Sequence, residues 1–175
     1  MPKATDLCGR PALVVIDLQK RFFRPGDVLQ PALDDAVEII NHVAEAFRAA
    51  GRLVIWVQDR ENVDETDPGY ALLDGLRPEK GDPRVSKIPS NAFLEPSFLG
   101  TLEGGAADFL VLCGYRAEQC VLATARGAAD REIPLALLRG AVVSPDPEAV
   151  AFVERLFPLL SHEVAVALAG EPSRK

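Results

Sequence analysis

The chain has 175 residues, 48% of them hydrophobic, and a formal net charge of −7, which suits one compact core over residues 1–175 and leaves no need for staples or a second domain. Its basic residues are scattered rather than striped, which excludes a nucleic-acid backbone footprint, and no apolar run approaches the roughly 18 residues that span a bilayer. The start, MPKATDLCGR, lacks the apolar core of a secretory signal, so a cytoplasmic protein with small-molecule or protein partners is expected.

The run ALVVID at 12–17 is β-branched and too short for a helix, and reads as a buried strand; LVIWVQ at 53–58 reads the same way. Between them Leu33, Val37, Ile40, Val43, Ala44 and Phe47 recur at helical spacing, with Pro31 near the start and Gly51 past the end, which makes a βαβ unit. From Asp59 to about Gly81 the chain is polar and rich in Gly and Pro, so a long loop is predicted, with a short helix around YALLDGL. RVSK reads as a short strand, PSFLGTL as a short helix, DFLVLCG at 108–114 as a strong strand and 118–130 as a helix. PLALLRG is predicted as a strand, PEAVAFVERLFPLL as an amphipathic helix, and HEVAVALA as a final strand. Strands alternating with helices imply a parallel sheet covered on both faces, with ligands bound beyond the carboxyl ends of its strands.

Cys8, Cys113 and Cys120 are an odd number in a chain of ordinary domain size, so free thiols are expected. His42 and His162 lie far from them in sequence, which argues against a structural zinc. Cys113 sits inside an apolar strand and reads as core, and Cys8 as incidental. Cys120 falls near the first turn of a helix, where unpaired N–H groups and the helix dipole favour an anion; that position is expected to lower a thiol pKa and suits a nucleophile, although from placement alone a small buried hydrophobe is the commoner reading. Asp17 at the exit of the first strand either braces the turn or serves as a base, and Lys87 at the exit of RVSK either is solvated or holds an anion. No GxGxxG or GxxxxGKS/T follows a strand, so a nucleotide loop is not expected. Asp17 is followed by Leu18 and Gln19, which excludes a DxD phosphatase.

The ordered blocks ALVVIDLQKRFF, VSKIPSNAF and LVLCGYRAEQCVLATARGAA resemble, over nearly the whole chain, the isochorismatase-like cysteine hydrolases, which include nicotinamidases, N-carbamoyl amidases, biuret and maleamate hydrolases and isochorismatase. The resemblance implies a three-layer α/β/α fold with a six-stranded, mainly parallel sheet. It implies an Asp17–Lys87–Cys120 triad, a cis peptide at Tyr115–Arg116, and an oxyanion hole built from the backbone N–H groups of Arg116 and Cys120. It further implies C–N bond hydrolysis of a small amide, imide or carbamoyl compound through a thioester, and a homodimer or larger homo-oligomer. Nicotinamidases carry an Asp and following histidines to hold a metal after the second strand; here the segment is QDRENVDETDP, with Asp59 and no His, so no metal or other cofactor is expected. Ala117 and Arg139 also depart from residues common in the family. Phe22, Phe23, Trp56 and Tyr115 lie on segments facing the presumed pocket, with core packing as their alternative; Arg60 and Arg116 could meet a substrate carboxylate or be solvated. Vinyl-ether hydrolysis, as in isochorismatase, and a non-catalytic binding member are the competing functions.

Overall fold

The computed structural model describes residues 9–24, 26 and 29–170; Cys8 lies outside them. Six strands, β1 (Pro11–Ile16), β2 (Val54–Asp59), β3 (Arg84–Lys87), β4 (Phe109–Tyr115), β5 (Leu135–Val143) and β6 (Leu159–Leu160), form one sheet in the order β3-β2-β1-β4-β5-β6. Every pairing is parallel. β1 is buried at all its positions because both faces of the sheet are covered, which is why its sequence is a continuous apolar run without alternation. Leu13 and Val15 point into one core, while Ala12, Val14 and Ile16 point into the other.

The first core lies under α1 (Gln30–Ala49) and α5 (His162–Ala169). The second lies under α2 (Pro96–Gly104), α3 (Leu122–Ala129) and α4 (Pro147–Leu156). α1 buries Leu33, Ala36, Ile40, Val43, Ala44 and Phe47 along one face, each large side chain contributing about 1.5–3 kcal/mol. The order of strands reverses direction between β1 and β4, so the crevice at a switch point opens at the carboxyl ends of those two strands. Asp17 and the turn to Cys120 follow them directly.

Several elements differ from the sequence reading. HEVAVALA is helix α5, not a strand: Ser161 caps it by accepting from the N–H of Val164, and Ala165 and Ala169, four residues apart, are the buried positions. The amphipathic helix stops at Leu156, since Phe157 precedes Pro158 and is extended, and the sixth strand is the pair Leu159–Leu160. No helix forms over 71–76; a 3-10 turn at Pro68–Tyr70, capped by Asp67, stands just before it. β5 runs to Val143, past the exposed Arg139 and Gly140, whose φ of 75° interrupts the apolar pattern.

Candidate active site

Asp17 leaves β1 with φ 54°, a left-handed conformation that a non-glycine residue holds only when its surroundings fix it. Its N–H donates to Val57 O and its own carbonyl accepts from Gln19 N, both at 2.9 Å, so the backbone turns at that residue. The side chain is thereby freed from bracing the turn and is directed at Lys87, whose Nζ lies 2.7 Å from Oδ2. Lys87 closes β3 and is fully buried, so the solvated alternative does not apply. The same ammonium stands 3.5 Å from Cys120 Sγ. The three residues predicted from separate strand exits therefore converge on one cation.

Beyond β4 the Tyr115–Arg116 peptide is cis, and residues Ala117–Val121 form a π-helical turn that runs into α3. Cys120 is in that turn, buried against the second core. Gly114, one residue before the cis bond, has φ 119°, and a Cβ there would collide with the backbone carbonyl of Ile16. Glycine lets β4 approach β1 closely just before Asp17. The block Ser90-Asn91-Ala92 docks on α3, the helix that follows Cys120: Ala92 N donates to Thr124 Oγ1 at 3.1 Å, and Gly127 leaves room for the Asn91 amide.

The expected acidified thiol is not found. Burial pushes the Cys120 thiol up to about 12, and the nearby Asp17 carboxylate adds to the rise while Lys87 opposes it. The helix start does not outweigh a dry site shared with a carboxylate. Burial also raises Asp17 above the ordinary carboxylate range, with Lys87 pulling it back only in part. Burial opposes the charge of Lys87, yet Asp17 and Cys120 hold its pKa above the ordinary lysine value. The resting arrangement is thus a neutral thiol beside a carboxylate–ammonium pair. Asp17 Oδ1 is buried without a hydrogen-bond donor, so one acceptor oxygen is left for a proton or a substrate. Cys113, buried in β4 and raised by desolvation alone, is core.

Phe22 and Phe23 both meet Tyr115, with ring centroids at 5.4 and 4.8 Å, so these aromatics gather where β1 and β4 end. Trp56 is a correction: it is completely buried in the first core, and its Nε1 donates at 2.8 Å to Asp82, just ahead of β3. Its indole is held at the amino end of the sheet, away from the triad, because Asp82 and Arg48 supply a polar anchor there. The Arg116 guanidinium pairs with Glu118, which in turn accepts from Ser144. A groove of ≈ 940 Å³ along α1, α4 and the end of β5 contains none of the three triad residues.

Residues 11–162 match the model of the Isochorismatase domain. The chain belongs to the isochorismatase family. It is 30% identical to a ureidoacrylate amidohydrolase RutB of Azorhizobium caulinodans, over 79% of this chain and 78% of that one, and 28% identical to a streptothricin hydrolase of Streptomyces noursei, over 73% and 52%. Among solved structures it superposes on N-carbamoylsarcosine amidase from Thermoplasma acidophilum with TM-score 0.74 and 26% identity, covering 87% and 95% of the two chains. A cysteine hydrolase from Pseudomonas syringae pv. phaseolicola, 22% identical, shares the fold with TM-score 0.78 over 94% and 93%. The protein is a hydrolase of the isochorismatase family.

A pyrazinamidase of Pyrococcus horikoshii in the same fold was solved in complex with zinc (TM-score 0.75, 23% identity, 87% and 99% covered). In this isochorismatase-family chain the donor set does not suit a metal. Asp59 is engaged by Arg21 at 3.0 Å, and no group of three or more metal-binding side chains exists among the described residues. The two histidines meet edge to face between α1 and α5, with centroids 5.8 Å apart.

Sequence reasoning missed two residues beside the triad. Gln19, fully buried, accepts from Asp59 N at 2.8 Å and donates to the carbonyls of Asp59 and Tyr70, both at 2.9 Å, which ties the 59–70 segment to the exit of β1. Arg21 binds Asp59 and the Glu61 carbonyl. A buried amide within a polar stretch was the available signal for Gln19; Arg21 carries none, since its partners lie about 40 residues away.

Proposed function

We propose that this family member is a cysteine amidohydrolase cleaving the C–N bond of a small amide, imide or carbamoyl compound. Cys120 is the nucleophile, Asp17 the proton carrier and Lys87 the cation that holds both. The observation that carries this reading is the position of Lys87 Nζ, 2.7 Å from Asp17 Oδ2 and 3.5 Å from Cys120 Sγ. Similarity to an amidohydrolase and to a carbamoyl amidase supports the bond type.

With the thiol raised to about 12, a free thiolate is scarce at neutral pH, so proton transfer to Asp17 accompanies attack rather than preceding it. Sulfur adds to the carbonyl carbon, and the carbonyl oxygen takes the negative charge at the backbone N–H groups of Arg116 and Cys120. The C–N bond then breaks as protonated Asp17 donates to the leaving nitrogen, giving a thioester and ammonia or an amine. Asp17 next takes a proton from water, hydroxide adds to the thioester, and the thiolate leaves and recovers the proton. Phe22 and Tyr115 flank the site as the apolar side of the substrate pocket.

The test is an amide and ureido-compound panel with ammonia detection, together with intact-mass analysis during turnover. Wild type should release ammonia and show an acyl adduct; Cys120→Ala and Asp17→Asn should each lose at least about 10³-fold in kcat/KM. Vinyl-ether hydrolysis that survives Cys120→Ala, with no ammonia from any amide, would overturn the reading.

A further inference from the structure

Asp59 closes β2 and is the direct cross-strand partner of Lys87 on β3. A second carboxylate is thus set beside the ammonium that Asp17 needs. Arg21 lies over it. One terminal nitrogen of the guanidinium is 3.0 Å from Asp59 Oδ1 and 3.2 Å from the Asp59 carbonyl, and the other donates to the Glu61 carbonyl at 2.7 Å. Its carbon sits 4.5 Å from the centroid of the Phe22 ring, which itself packs on Tyr115. Both partners of the ion pair are largely buried, with side-chain exposures of 20% and 14%, so water screens the pair little.

We infer that Arg21 is a positioning residue of the hydrolytic site: its guanidinium permanently neutralises Asp59, so that Lys87 stays committed to Asp17. Its three oxygen partners, one carboxylate and two carbonyls, belong to the element that also carries Gln19's contacts, and the same clamp fixes Phe22 at the pocket edge. The inference rests on the reading of Asp17 as the working base. The groups bearing on Asp17 are Lys87 from β3, Cys120 from the π-helical turn and Asp59 from β2. Those bearing on Asp59 are Arg21, the N–H of Glu61 and, through space, Asp17 and Lys87. An uncovered Asp59 would stabilise the protonated form of Asp17 and draw on the same ammonium, and the guanidinium offsets both effects.

The experiment reads Asp17 directly, without substrate. Protein labelled with ¹³C at the aspartate carboxyl is titrated by NMR, with the Asp17 signal assigned by its loss in Asp17→Asn. Arg21→Gln should raise the Asp17 midpoint by about one pH unit, Arg21→Lys should hold it near wild type, and Arg21→Gln/Asp59→Asn should restore it. Asp59→Asn alone should lower it, because the guanidinium is then uncompensated; this arm also decides the matter if Arg21→Gln does not fold. An Asp17 midpoint indifferent to Arg21→Gln, or to Asp59→Asn, would overturn the inference whether or not the protein hydrolyses amides. Loss of amidase activity in every assay with these shifts intact would sink the hydrolytic reading and leave the electrostatic role standing.

Discussion

Lys87 and Asp17 form an ion pair closed off from solvent, 2.7 Å apart and contributed by strands 70 residues apart in sequence. Such a pair is costly to desolvate, and breaking it is costlier than never having made it. Lys87→Met should therefore destabilise the protein by about 3–5 kcal/mol, because it leaves a buried carboxylate alone. Lys87→Met/Asp17→Asn should recover much of that loss. Urea unfolding of the three proteins checks this, and a double variant no more stable than the single one would contradict it.

The direction of the Cys120 shift yields a prediction about reactivity. With the thiol near 12, iodoacetamide alkylation of Cys120 should keep rising through pH 9 without a plateau below the ordinary thiol value of about 8.5. Asp17→Asn removes the carboxylate that raises the thiol and leaves the lysine that lowers it. Alkylation at pH 8 should then speed up by about tenfold for each pH unit of downward shift, while hydrolysis is lost. Peptide mapping distinguishes Cys120 from Cys113. A wild-type plateau near pH 7 would show that the thiolate is preformed.

Turnover should follow Asp17 and Lys87 in opposite limbs. In the proposed mechanism Asp17 accepts the thiol proton only when ionised, and burial places its pKa above the ordinary value of 3.8. The acid limb of kcat/KM should accordingly lie above the usual carboxylate range, with activity falling as pH drops through it. Lys87 is held above 10.5, so no loss from its deprotonation is expected below that pH. Steady-state rates between pH 4 and 10 test the acid limb and the expected absence of a lysine limb within that range.

The sheet, and the meeting of Asp17, Lys87 and Cys120 at its carboxyl edge, were legible because they depend on short-range signals: continuous apolar runs for strands buried on both faces, and reactive residues immediately after them. What escaped depends on partners distant in sequence. Trp56 reads equally as pocket floor or core until Asp82, itself held by Arg48, is seen to accept from its Nε1 at the opposite end of the sheet. HEVAVALA alternates like a strand, and only its cap at Ser161 and the burial of Ala165 and Ala169 reveal a helix. The thiol's pKa depends on how closely Asp17 and Cys120 share one dry site, which spacing cannot report. The chain signals nothing about Arg21, whose role exists only because β2 ends beside β3.

Gly114 ties backbone fit to the geometry of the proposed site. At φ 119°, with a Cβ set to strike the Ile16 carbonyl, Gly114→Ala must push β4 away from β1 or rotate the peptide. Either response moves the turn that leads to Cys120 relative to Asp17. A destabilisation of about 3 kcal/mol is expected, along with a fall in kcat larger than any change in KM, since the oxyanion donors and the base would lose register. Unchanged kcat in a folded Gly114→Ala protein would show that this close approach does not set the site's geometry.

At the other end of the sheet, Asp82 accepts from Trp56 Nε1 at 2.8 Å and from Arg48 at 2.7 Å. Burial pushes its carboxyl up, but these donors and the N–H of Glu79 outweigh it and hold Asp82 below 3.8. A folded pKa below the unfolded one means that the contribution is present in full above the unfolded value and lost as pH falls through the folded one. Asp82→Ala should cost about 2–3 kcal/mol at pH 7, leaving a buried indole N–H and a guanidinium without their acceptor. Trp56→Phe, which removes the donor as well as the polar need, should cost less per lost hydrogen bond than Asp82→Ala. The gap between wild type and Asp82→Ala should narrow in urea unfolding as pH drops below 4, and a gap that stays constant to pH 2.5 would show that Asp82 works through packing rather than charge. Turnover per folded molecule should be unchanged in Asp82→Ala, because the network lies at the amino ends of the strands and the triad at their carboxyl ends.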